Sequence, residues 1–385
     1  MAEENLFGNL LKVEGFYRAS TIVEDMAVKI PPKPNFYCTS PTMSWGSAVG
    51  YTPGMMELMY GPKSSGKTMI VLDRIKNCLH MDPKAIAVLV DAEMNFEFES
   101  TIRWMTANGV DTSRVLIIRE VCLKRVFEEK LLGTLQKEIL AGNALVNYIA
   151  IDSIQAMSAK NVPTEDMVKK RGGQSGKNAI DYTKQDYGAT ANFLSRIFPF
   201  YRMFCRDTRV FTTFIGQARN DGQDRFGNEK YKTSGGEALY HEVQYRTFVK
   251  PGFESIFSSD KDINGQPIKI GHRINFEFEK NKAGEGLGRK GYCDVAYMQG
   301  IVNVEEEMTN LCAKLGIINQ AGAWYDYDGK KAQGATGFGN LLREDRDLYS
   351  ELFSRVMARA STTFDPTNQE MIVASEEEVK EESKT

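Results

Sequence analysis

From residue 55 onward, short apolar runs alternate with longer stretches in which apolar positions recur at helical spacing. The runs are residues 55–60, 86–90, 115–118, 148–151 and 209–215, each short enough to be a strand buried on both faces. Residues 68–79 and 191–204 carry helical spacing between them. This alternation predicts an α/β fold, a mostly parallel central sheet with flanking helices. Past Gly236 the pattern changes. Residues 245–249, 272–278 and 292–298 alternate in the manner of antiparallel strands, joined by turn-rich pieces such as Asp262-Ile-Asn-Gly-Gln-Pro. From about residue 302 a small α+β segment is predicted, with a helix over 305–315, a hairpin over 323–330 turning on Asp328-Gly329, and further helix over 341–358. At the start of the chain Leu6, Leu10, Leu11, Val13, Phe16 and Tyr17 form a short amphipathic stretch, which Ile30-Pro-Pro-Lys-Pro brings to an end. The expected division is an arm with its linker over 1–40, a core over 41–298, a small α+β domain over 299–365 and a disordered acidic tail over 366–385.

Composition narrows the class. Of 385 residues, 42% are hydrophobic and 26% charged, which excludes a wholly disordered chain. No apolar run approaches the ~20 residues of a membrane span, and Met-Ala-Glu-Glu-Asn lacks the basic start of a secretory signal. Cys38, Cys78, Cys122, Cys205, Cys293 and Cys312 are scattered, so a reducing cytoplasm is expected rather than a disulfide framework. His80, His241 and His272 stand too far apart in sequence to suggest a metal site. The net charge of −3 is unevenly placed, because Glu370, Glu376, Glu377, Glu378, Glu381 and Glu382 face only two lysines in the last sixteen residues. That run reads either as a solubilising tail or as a strip competing with a polyanion for a basic face.

Candidate chemistry concentrates at strand ends. Gly61-Pro62-Lys63-Ser64-Ser65-Gly66-Lys67-Thr68 fits G-x-x-x-x-G-K-[ST] between a predicted strand and a predicted helix. Such a loop cradles phosphate oxygens with backbone N–H groups; Lys67 neutralises the β- and γ-phosphates and the Thr68 hydroxyl reaches Mg²⁺. Asp152 closes the run Tyr148-Ile-Ala-Ile and offers Mg²⁺ a hard oxygen, directly or through water, unless it only caps the next turn. Val88-Leu-Val-Asp91-Ala-Glu93 ends another strand in carboxylates, and Glu93 is the candidate general base for an attacking water. Gln217, just past residues 209–215, is placed to hydrogen-bond a γ-phosphate or merely to close its strand.

These motifs occur in a telling order. The phosphate loop, Val90-Asp-Ala-Glu93, Ile149-Ala-Ile-Asp-Ser153, Phe214-Ile-Gly-Gln217-Ala-Arg219, Thr233-Ser-Gly-Gly-Glu-Ala-Leu239, Lys280-Asn-Lys282 and Ala321-Gly-Ala-Trp-Tyr325 follow one another as in the RecA family of homologous-recombination ATPases. The chain resembles that family from about Cys38 to Phe364, and its divergence elsewhere resembles a bacteriophage-type member. The resemblance implies a RecA-like P-loop ATPase core with an oligomerisation arm and a small C-terminal domain. It implies helical filaments on single-stranded DNA, pairing with homologous duplex DNA, ATP and Mg²⁺ bound between subunits, and single-strand-binding and mediator proteins as partners.

Residue by residue, the resemblance makes Lys67, Thr68 and Asp152 phosphate and Mg²⁺ residues, and Glu93 the residue that activates water. Gln217 would couple nucleotide state to DNA, while Lys280 and Lys282 would reach a neighbour's γ-phosphate. Trp104 occupies the place of an adenine-stacking aromatic, a core tryptophan being the other reading of the same residue. Two DNA loops are expected, near 160–188 and 218–234. They bring Tyr187, Gly188, Arg219, Arg225, Phe226, Gly235 and Gly236 to DNA, cations tracking phosphates and rings stacking on bases. The family's second apolar position in the later loop is Gly222 here, and Tyr240-His241 stands where the family places a lysine and an aromatic. A RecA-like ring helicase is the alternative reading of the same core.

Overall fold

Burial on both faces is what turns the apolar runs into strands. The computed structural model describes residues 33–48, 50–94, 98–159, 187–223, 229–233, 237–282 and 287–361. In it β1 (Met56–Gly61) lies between β5 (Phe211–Gln223) and β7 (Tyr245–Lys261), parallel to both. β4 (Val146–Asp152), β2 (Ile86–Asp91) and β3 (Val115–Ile118) continue the parallel set beyond β5. On the other flank β8 (Pro267–Asn281), β9 (Lys290–Ala296) and β10 (Gly300–Val302) follow β7 as an antiparallel meander. The order is β10-β9-β8-β7-β1-β5-β4-β2-β3, and β6 (Glu229–Thr233) pairs with the far end of β5. This is the mostly parallel sheet that the sequence predicts.

Strand alternation sorts the core into two layers. Met56, Leu58 and Tyr60 of β1 face Phe127, Phe198, Tyr201 and Phe214, under the π-helix Arg125–Leu135 and a long helix that follows later in the chain. Met59 faces the opposite layer, with Tyr148, Phe211 and Ile274. Burying each of these large side chains contributes ~1.5–3 kcal/mol. In chain order the helices are α1 (Pro41–Gly46), α2 (Lys67–Met81), α3 (Phe98–Ala107), α4 (Gln136–Leu140), α5 (Tyr187–Thr208) and α6 (Glu237–Glu242). The small unit that follows contains α7 (Val304–Lys314), α8 (Gly334–Glu344) and α9 (Arg346–Ser361).

One charged pair is set into this interior. Glu57 of β1 and Arg74 of α2 are fully buried and ion-paired. Arg74 also donates to the Tyr51 hydroxyl at 2.7 Å, while Thr213 and Thr247 donate to Glu57 at 3.0 and 2.7 Å. An uncompensated charge there would be costly, and these bonds tie α2 to β1, β5 and β7.

The small unit adds a three-stranded antiparallel sheet, β11 (Asn319–Ala321), β12 (Trp324–Tyr327) and β13 (Lys330–Gln333). The expected hairpin is present. Asp328 and Gly329 at its turn both have positive φ, 50° and 79°, which matches the strands' twist. Glu307 fastens α7 to α1, accepting from the Ser40 hydroxyl at 2.5 Å and the Thr42 N–H at 2.8 Å.

Four readings change. The helix expected over 341–358 is two helices, because Asp345 interrupts the chain and its carboxylate accepts the Leu348 N–H at 2.9 Å. The strand expected over 209–215 runs on to Gln223 and pairs with β6, so part of the expected second DNA loop is a hairpin. The expected linker end packs on the sheet, with Phe36 bridged to Tyr51 and buried, and Lys33 donating to the carbonyls of Val146 and Thr208. Finally, α1 is a helix that the pattern does not announce, and the helical stretch expected between β3 and β4 is largely π-helix. The amphipathic stretch at 6–17, residues 160–186 of the first expected DNA loop and the acidic tail lie outside the described residues.

Candidate active site

The phosphate loop is shaped by two glycines. A Cβ on Gly61 would stand 1.7 Å from the carbonyl oxygen of Val249, so only glycine lets β1 end this close to β7. Gly66 has φ of +88°, and a Cβ there would meet Ile274 at 2.2 Å. α2 begins at the next residue, and no side chain caps its amino terminus. Its first N–H groups are therefore available to an anion, aided by the helix dipole. Lys67 is 7% exposed and bends back over the loop, donating to the carbonyls of Gly61 and Pro62 at 3.0 and 2.7 Å and to Ser65 Oγ at 3.1 Å. Burial pulls its pKa down to about 8, against the opposing pull of Asp152 and Glu93.

Parallel pairing brings the acids to the same sheet edge, since Asp91 and Asp152 are register partners across β2 and β4. The Thr68 hydroxyl donates to Asp152 Oδ2 at 2.7 Å. Burial pushes the Asp152 carboxyl up to about 6 despite that bond. Immediately beyond β2, the N–H groups of Ala92 and Glu93 both donate to the Asp152 carbonyl, at 2.8 and 3.2 Å, which fixes the backbone under Glu93. Glu93 Oε1 accepts from Ser153 Oγ at 2.5 Å and from Gln217 Nε2 at 2.7 Å.

The loop, Glu93, Asp152 and Gln217 line one cavity of about 470 Å³, a size suited to a small ligand. Thr68 and Asp152 present two hard oxygens. Among the described residues no three His, Cys, Asp or Glu side chains gather into a metal cage. That donor set fits Mg²⁺, which takes one or two protein oxygens and completes its shell with water and phosphate. Two further lining residues, His272 and Tyr297, were missed by sequence reading. Their rings lie 5.9 Å apart, and Tyr297 is 48% exposed. Burial first, then the Lys269 cation, lowers the His272 pKa. Only the register of β8 against β7 and β9 brings these rings to the phosphate loop.

Other expected residues stand elsewhere. Lys280, near the carboxyl end of β8, is roughly 26 Å along the strand from His272 at ~3.3 Å per residue; Lys282 follows just past that end, and neither lines the cavity. Lys280 is half-buried and donates to the carbonyls of Tyr240 and His241 at 2.9 and 3.0 Å. Trp104 calls for a correction. It is 4% exposed, packed in the core under Gly300, so no ring face is open to an adenine. Tyr187 and Gly188 begin α5 instead of ending a loop, and Arg219 lies within β5. Arg225, Phe226, Gly235 and Gly236 fall outside the described residues.

A parallel sheet with a glycine-rich loop between β1 and α2, and with carboxylates on the neighbouring strand ends, defines an α/β domain of the phosphate-loop class. Residues 306–361 match the family model described as the RecA C-terminal domain. The chain is 28% identical to Protein RecA of Lactococcus lactis subsp. cremoris over 312 residues, 81% of this chain and 72% of that protein. It is also 28% identical to Protein RecA of Bacteroides thetaiotaomicron over 311 residues, covering 79% and 80%. For Protein RecA of Streptococcus mutans the figures are 25% over 338 residues, covering 87% and 79%. A crystal structure of the RadB recombinase aligns with a TM-score of 0.41 at 19% identity, over 66% of this chain and 92% of that one. The sequence likeness is to proteins named RecA, and the family-model match lies in the small C-terminal unit.

Proposed function

We propose that this chain is an ATP-dependent DNA strand-exchange recombinase of the RecA kind, acting in the cytoplasm as a helical filament on single-stranded DNA. The observation that carries this reading is the separation of two cationic groups. Lys67 sits in the phosphate loop at the carboxyl end of the parallel strands, whereas Lys280 and Lys282 project from the amino end of the same sheet. Within one chain Lys67 lines the cavity and neither Lys280 nor Lys282 does. Head-to-tail stacking can bring both to one nucleotide, and a heterologous contact that does not close on itself generates a filament. No helix among the described residues is long and apolar enough to cross a membrane.

The residues divide the work as follows. The α2 amino terminus and Lys67 bind the phosphates, and Thr68 with Asp152 holds Mg²⁺, which when bound neutralises charge on the phosphate oxygens. Glu93 orients an attacking water and takes its proton, while Gln217, already bonded to Glu93, registers whether a γ-phosphate is present. Lys280 and Lys282 from the next copy stabilise the charge that spreads over the γ-oxygens. Tyr297 offers its half-exposed ring to the base. Arg219, Arg225, Phe226, Tyr187 and the neighbouring glycines would meet the DNA backbone and bases, and pairing reads the sequence. The reading keeps a bacteriophage-type member as the expected kind, with mediator and single-strand-binding proteins as its expected partners.

Mixing two dead variants tests this. Lys67→Ala and Lys280→Ala should each abolish DNA-stimulated ATP turnover alone. An equimolar mixture should recover turnover at roughly a quarter of its junctions, those joining an intact loop to an intact Lys280. A mixture as inactive as its parts, despite co-assembly, would refute the reading.

A further inference from the structure

Strand β5 outruns its neighbour. Pairing between β4 and β5 stops at Ile151 opposite Phe214, yet β5 remains extended beside β1 as far as Gly61 opposite Gln217. On the β4 side, the Gln217 N–H would face a gap where the partner strand has already turned away. A 3₁₀ turn, Ile154–Ala156, stands in that gap. Its Gln155 side chain accepts the Gln217 N–H at 3.0 Å through Oε1. Gly216 makes room for it, since a Cβ there would lie 3.3 Å from Gln155 Nε2. A side-chain amide thus supplies the acceptor that the missing strand would have supplied.

We propose that Gln155 is a positioning residue for hydrolysis, a role that rests on the ATPase reading above. By holding the Gln217 backbone in ladder geometry, it aims the Gln217 carboxamide at Glu93, where the two side chains meet at 2.7 Å. Ser153, two residues before Gln155, donates to the same Glu93 oxygen at 2.5 Å, so one short turn supports Glu93 by two routes. The placement joins three parts of the chain. Residues 160–186 follow the turn, the β5–β6 hairpin follows Gln217, and the carboxylate lies between them. The interaction is local to the end of β4, and both of its groups lie off the phosphate loop. Losing it should disturb the rate of the hydrolytic step more than nucleotide affinity.

The test uses the full chain with Mg²⁺-ATP, with and without a poly-dT oligonucleotide, comparing Gln155→Ala, Gln155→Met and Gln155→Glu. Alanine and methionine remove the acceptor, and methionine keeps the length; glutamate keeps both. The first two should lower DNA-stimulated kcat about tenfold, leaving KM for ATP and the melting temperature near wild type, and glutamate should restore most of the rate. Unchanged kcat in alanine and methionine would overturn the proposal, as would a glutamate variant as slow as methionine. Hydrogen exchange at the Gln217 amide provides a readout independent of turnover. Its protection should fall about tenfold in alanine and persist in glutamate. If the wild-type chain hydrolyses no ATP, the function reading fails by itself, and unchanged protection of this amide would then overturn the positioning role separately.

Discussion

Glu57 and Glu307 are both sealed from water, and their surroundings settle a buried carboxyl in opposite ways. Glu57 is fully partnered, because Arg74 meets it from α2 and two threonine hydroxyls donate to its oxygens. Glu307 meets a hydroxyl and an amide at Oε1, while Oε2 is buried with no hydrogen-bond partner among the described residues. Burial pushes its carboxyl up to about 7. The contrast separates two kinds of fastening. The helix behind the phosphate loop is held by a buried, hydrogen-bonded ion pair. The seam between α1 and the small unit is held by a group that wants its proton.

Removing Arg74 should break the contrast most severely. Arg74→Ala leaves Glu57 buried and unpaired, and it should cost ~3–5 kcal/mol in urea unfolding. Replacing both partners with apolar residues, Arg74→Met with Glu57→Leu, should cost less than either single change. A loss in Arg74→Ala no larger than that of an exposed arginine would show that the pair does not act as a strut.

Glu307→Gln sharpens the other side. The folded carboxyl holds its proton to about 7, whereas its ordinary value is 4.5, so its stabilising contribution is full below 4.5 and is lost as pH rises through about 7. Wild type should therefore lose on the order of 3 kcal/mol against the glutamine variant across that window. Parallel pH profiles for the two proteins would contradict this. The smallest effect expected is that of Ser40→Ala, which removes both the cap bond to the Met43 N–H and the donor to Glu307. It should cost about 1 kcal/mol in thermal unfolding, more at pH 8 than at pH 5, where the neutral carboxyl needs its donor less.

What could be read from the sequence was the chemistry held in contiguous motifs. Gly61 through Thr68, Asp152, Glu93 and Gln217 each follow a strand whose apolar run announces itself, and parallel pairing then brings them together. Features that depend on distant partners stayed hidden. Nothing in the local pattern marks Arg74 as buried, and it is Glu57, seventeen residues earlier on the adjacent strand, that pairs with it inside. Trp104 reads as a free aromatic until β10 brings Gly300 over it. His272 and Tyr297 reach the phosphate loop through the register of three strands, which no local pattern specifies. The hairpin of β5 and β6 reads as a loop because its positions lack the apolar alternation that a core-facing strand would carry.

The longest strand pair in the sheet has a consequence for assembly. β8 carries His272 beside one molecule's phosphate loop and Lys280 at its far end, with β7 bonded along it. In the head-to-tail stack proposed above, this one ribbon would carry residues belonging to two successive joints. The two joints would then be linked by a continuous backbone ladder, with no loop between them.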